Sequence, residues 1–120
     1  MKTFKEYQES ALCTAPSNTD KDHDLLHGVL GLITEAAEIA DVIKKQHAYG
    51  KPLDRVNLKE ELGDVLWYIP LLCRALDTDM ESVAEMNIAK LKLRYPDKFN
   101  TKDATTRDLV AERELLETYD

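Results

Sequence analysis

The sequence predicts an all-α fold: a four-helix-bundle-like core with an additional short N-terminal helix and a charged C-terminal helix. Three observations predict it. Apolar residues recur at helical spacing through two long segments, about residues 23–47 and 53–76. The connections are short and carry helix-stopping residues, Gly50 with Pro52 and later Pro96. No run carries a convincing strand pattern. Long periodic helices joined by short turns pack as a bundle.

The elements follow in order. "TFKEYQESALCTA" forms a short first helix, stopped near Pro16. The polar loop "APSNTDKD" ends in cap residues, so Asp20 or Asp22 starts the second helix. That helix carries Leu25, Leu26, Val29, Leu32, Ile33, Ala36, Ile39, Ala40 and Ile43 on one face, which the pattern assigns to the core. Lys44 and Lys45 suit its C-terminal dipole. The third helix begins at about Leu53 or Asn57 and ends at Leu76. Its expected buried stripe is Leu58, Leu62, Val65, Leu66, Ile69, Leu72 and Leu76, and Pro70 should kink it or loosen one turn. "DTDMES" caps a fourth helix from about Met80 to Tyr95, and "ATTRDLVAERELLETY" reads as one final, mostly charged helix. Residues 1–120 are expected to form one domain, with a tail helix at about 101–120.

Composition narrows the function. A net charge of −7 and a pI near 5.0 argue against a nucleic-acid polymer or an anionic membrane as partner, because phosphate backbones recruit lysine and arginine. Cys13 and Cys73 have no metal-ligand spacing, and Cys73 falls in an apolar helical stretch, which points to a reduced thiol. No apolar run approaches a membrane span and "MKTFKEYQES" is no signal peptide, so a cytoplasmic protein is expected.

"GLITEAAEIADVIKK" (residues 31–45) places Glu35 and Glu38 one turn apart, and "NLKEELGDVLWY" does the same with Glu61 and Asp64. Like charges at that spacing repel, and none of the four has a lysine or arginine three or four residues away. Asp41, by contrast, has Lys44 and Lys45 at ion-pairing distance along the helix. From the residues alone two readings stand: solvated acidic faces, or carboxylates at the border of a core that gather a divalent cation. Oxygen ligands suit Mg²⁺ or Mn²⁺, and the Glu-x-x-His pairs of di-iron bundles are absent. On the fourth helix Asn87, Lys90 and Arg94 share a stripe. That stripe either forms structural salt bridges or holds a polyphosphate.

The pattern Glu35-Ala-Ala-Glu38, Glu61-Leu-Gly-Asp64 within "EELGDVLWY" and then "NIAKLKLRYPDKF" resembles the MazG-like all-α nucleoside triphosphate pyrophosphohydrolases, over about residues 22–100. The resemblance implies a helical bundle, usually a homodimer or homotetramer. It implies Mg²⁺-dependent cleavage of a nucleoside triphosphate between the α and β phosphates, giving a nucleoside monophosphate and pyrophosphate. Carried over by position, Glu35, Glu38, Glu61 and Asp64 are the metal ligands, with Glu38 a candidate to take the proton of the attacking water. Asn87, Lys90 and Arg94 contact phosphates. The family often has a further glutamate just before the first pair, where this chain has Thr34. His27 and Tyr68 lie on the acidic side of their helices and are nucleoside-contact candidates, against the alternative that they simply pack in the core. The same motifs leave open a phosphoribosyl-ATP pyrophosphohydrolase and a non-catalytic helical interaction module.

Overall fold

The computed structural model describes residues 1–120 as six helices and no strand, in two compact units, residues 1–80 and 81–120. In the first unit α1 (Phe4–Leu12), α2 (Lys21–Tyr49) and α3 (Arg55–Ala75) pack together. In the second lie the body of α4 (Met80–Arg94), α5 (Thr101–Thr105) and α6 (Leu109–Glu117).

Local chemistry sets the ends of α2 and α3. Asp20 caps α2 by accepting a bond from the His23 amide at 2.8 Å, and Asp54 caps α3 through the Asn57 amide at 3.0 Å. Gly50 ends α2 in the left-handed region at φ 65°, where a side chain would be strained. The short connection from Gly50 to Asp54 turns the chain back, so α2 and α3 run antiparallel. Asp24 meets Arg74, Gly28 meets Leu72, Gly31 meets Tyr68 and Glu35 meets Glu61. Pro70 is buried within α3, which continues through it without a break.

The face of α2 turned toward α3 differs from the expected apolar stripe. The buried residues of α2 are Asp24, Gly28, Gly31 and Val42, whereas Leu26, Val29, Ile33 and Ile43 are exposed. On α3 the buried residues are Glu61, Pro70, Leu71, Cys73 and Ala75, and Leu62, Leu66 and Leu76 are exposed. The reason is steric. A Cβ built on Gly31 would stand 2.0 Å from the Tyr68 ring, and one on Gly28 would stand 2.6 Å from Leu72. The two small residues let α3 side chains lie directly on the α2 backbone; Leu25, Leu32 and Ile39 are half-buried beside them, and Leu26, Val29, Ile33 and Ile43 are left exposed.

Side chains fix the rest of the first unit. Arg74 donates to both oxygens of buried Asp24, at 2.8 and 3.0 Å, and to the Pro16 carbonyl at 2.8 Å. Trp67 Nε1 donates to Thr14 just beyond α1 at 2.7 Å, and the Met80 amide donates to Gln8 at 2.8 Å. Past Pro96 the final helix expected from the sequence is two. Thr105 and Thr106 turn their hydroxyls back onto the Thr101 and Lys102 carbonyls, and Asp108 starts α6 by accepting from the Ala111 amide.

Candidate metal centre

Glu35 on α2 and Glu61 and Asp64 on α3 converge, each offering a carboxylate oxygen, and these oxygens lie within 4.8 Å of one another. Antiparallel pairing of the two helices puts them there. Gly31, one turn before Glu35, brings the backbones close, and the Glu61-to-Asp64 spacing sets both α3 acids on one side. Glu61 is buried, Glu35 half-buried and Asp64 exposed, so the cluster opens to solvent along one edge.

The charge is uncompensated. Burial first, then the nearness of the Asp64, Glu61 and Glu38 carboxylates, hold the Glu35 carboxyl above its usual range. The one neutral helper is Asn57, whose amide donates to Glu61 at 3.0 Å from one turn earlier on α3. Asp64 reaches further. After burial, its negative charge is what raises the Tyr7 phenol on α1. Asp41 lies outside this group and pairs with Lys44 at 3.2 Å and Lys45 at 2.9 Å.

These donors fit a hard divalent cation. Magnesium takes oxygen ligands at about 2.0–2.1 Å, so oxygens around one ion stand about 3–4 Å apart. Carboxylate oxygens within 4.8 Å of one another are close to that spacing. Without a cation, the repulsion that raises Glu35 is relieved by taking up a proton.

Glu38 stands one turn beyond Glu35, exposed, outside the converging trio though close enough to add to the field on Glu35. Thr34 turns its hydroxyl to the Gly31 carbonyl at 3.0 Å and takes no part in the cluster. One turn before Gly31, His27 packs edge-on against Trp67 and Tyr68, with ring centroids 6.3 and 5.7 Å away, and its Nδ1 is buried without a hydrogen-bond partner. Trp67 and Tyr68 stand at 4.9 Å, nearly perpendicular.

In the second unit Asn87 is exposed and Lys90 half-buried on α4. Arg94 is engaged by an acid, Glu112 of α6, with Nη2 at 2.6 Å and Nε at 3.0 Å. Sequence reasoning missed Asn57, Tyr7 and Glu112. Asn57 was visible as an amide four residues before Glu61. Tyr7 and Glu112 depend on tertiary packing that no local spacing signals.

The chain is 32% identical over 90 residues to the Gene 37 protein of Mycobacterium phage L5, covering 72% of this chain and 79% of that one. No solved structure matches. The family model of the MazG nucleotide pyrophosphohydrolase domain matches residues 25–99, a span that holds all four acids of the two helical pairs, and the chain belongs to that family.

Proposed function

We propose that the protein is a Mg²⁺-dependent nucleoside triphosphate pyrophosphohydrolase, with Mn²⁺ an acceptable substitute. It cleaves between the α and β phosphates to give a nucleoside monophosphate and pyrophosphate. The observation that carries this reading is the convergence of Glu35, Glu61 and Asp64 with no cationic side chain among them.

Glu35, Glu61 and Asp64 would hold the metal, with Glu38 completing the set from one turn along α2. When bound, magnesium would neutralise charge on the phosphate oxygens and make water at the site more acidic. The water oxygen attacks the α phosphorus in line, its proton passes to a carboxylate for which Glu38 is our choice, and the bond to the bridging oxygen breaks. The electron pair leaves with pyrophosphate. Asn87, Lys90 and Arg94 contact phosphate oxygens, and charge-assisted bonds of this kind are the strong ones. His27 and Tyr68 contact the nucleoside, and the unpartnered His27 Nδ1 supports a polar contact there.

The active form would be a homodimer or homotetramer. Leu26, Val29, Leu30 and Ile33 form one stripe on α2 and are 63%, 46%, 53% and 61% exposed. The free thiols Cys13 and Cys73 accord with a reducing, cytoplasmic setting, and no helix is long and apolar enough to cross a membrane.

Pyrophosphate release from a panel of nucleoside triphosphates, with and without Mg²⁺, tests the function. Glu38→Gln and Asp64→Asn are each expected to keep the helical circular-dichroism signal and abolish release. Wild-type turnover by either variant at saturating Mg²⁺ overturns the assignment.

A further inference from the structure

We propose that Glu112 is a positioning residue for phosphate binding: from the C-terminal helix α6 it holds one edge of the Arg94 guanidinium and leaves the other for the substrate. This rests on the reading of Arg94 as a phosphate contact.

Arg94 donates through Nε at 3.0 Å and Nη2 at 2.6 Å, both to Glu112 Oε1. Arg107 donates from its Nε to Oε2 at 3.0 Å and from its Nη2 to Oε1 at 3.5 Å. The Glu112 side chain is 3% exposed, that of Arg94 13% and that of Arg107 40%. One carboxylate thus sits between two guanidinium groups, and the trio keeps a net positive charge. An Arg94–Glu112 pair alone would be neutral, and a neutral pair would offer a polyphosphate little.

Stability alone is a poor reason for such a group. Buried ion pairs often do no better than well-packed apolar side chains of the same size. The geometry suits a different purpose. The Nη1 group of Arg94 makes no hydrogen bond to Glu112, Tyr95 is a second neighbour of the guanidinium with its ring centroid 5.8 Å away, and the side chain shares the stripe that carries Asn87 and Lys90. A free arginine side chain must surrender rotamer freedom when a phosphate captures it. One already fixed by a carboxylate gives up less on binding. Arg107 first, and Arg94 after it, keep Glu112 below the usual carboxylate range, so the clamp stays charged at neutral pH.

A double-mutant cycle in the full-length protein tests this, read as KM for the triphosphate and as the inhibition constant of pyrophosphate. Glu112→Gln preserves shape and removes the charge that fixes the guanidinium. It is expected to raise both constants on the order of tenfold with kcat little changed, and Glu112→Asp to recover part of the loss. Arg107→Ala moves both constants the same way and serves in place of Glu112→Gln if that variant does not fold. In an Arg94→Ala background, Glu112→Gln adds nothing. Equal losses in both backgrounds would assign Glu112 to stability alone and overturn the proposal. So would wild-type constants for Glu112→Gln when Arg94→Ala is impaired. An Arg94→Ala protein that behaves as wild type instead fails the phosphate-contact reading, and the positioning role falls with it.

Discussion

Glu35 registers the crowding of the acids. Burial, followed by the charges of Asp64, Glu61 and Glu38, sets its carboxyl above the ordinary 4.5. A carboxyl raised in this way binds its proton more tightly in the folded chain than in the unfolded one. Its contribution to stability is therefore whole below 4.5 and is lost as pH rises through the raised value. Metal-free protein is expected to gain Tm from this group as the pH is lowered from about 7 to the ordinary 4.5, and Glu35→Gln to remove that gain. Asp24 has the opposite sign. Its bonds to Arg74 hold it below the ordinary 3.8, so its contribution persists above that value and is lost only in stronger acid. The measurement is Tm in chelator at both pH values. Equal pH responses of wild type and Glu35→Gln would refute it. The site was legible at this scale to the extent that a missing charge partner is a local fact. Four acids, Glu35, Glu38, Glu61 and Asp64, lack a basic residue three or four positions away, and three of them converge while Glu38 stays outside the group. The partner of Arg94 was not legible, because Glu112 is eighteen residues away and on another helix.

At the scale of helices, α2 and α3 depend on two glycines for their approach. A glycine-to-alanine change in a helix ordinarily gains up to about 1 kcal/mol from propensity. At Gly31 the added methyl would stand 2.0 Å from a Tyr68 ring already flanked by His27 and Trp67. Overpacking of this kind costs about 1–3 kcal/mol, so Gly31→Ala is expected to be destabilising in urea. Gly63, with nothing within 4 Å of its Cβ position, is the control and is expected to become more stable as alanine. A stabilised Gly31→Ala would show that the contact yields. The first four helices, their order and the Asp20 cap of α2 could be read from the sequence, since periodicity and side-chain caps act within a few residues. The buried face could not. Apolar periodicity marks a face that avoids water, and here a glycine face packs on the neighbouring helix while the aliphatic stripe stays outside. The break at Thr106 was likewise hidden, because the charged pattern runs unbroken through it.

For the molecule as a whole, the aliphatic stripe of α2 is the main surface to be accounted for. Association is expected to bury it, so Leu26→Glu with Ile33→Glu should lower the mass seen by light scattering to that of one chain. A wild type that is already a single chain at tens of micromolar would remove that expectation. The molecule also carries one tryptophan, Trp67, tied to Thr14 and set against the Tyr68 and His27 rings within residues 1–80. Its emission therefore follows the melting of that half alone, while backbone ellipticity sums over both. Superimposable curves from the two signals would mean that the halves unfold as one cooperative body, and displaced midpoints that each melts by itself.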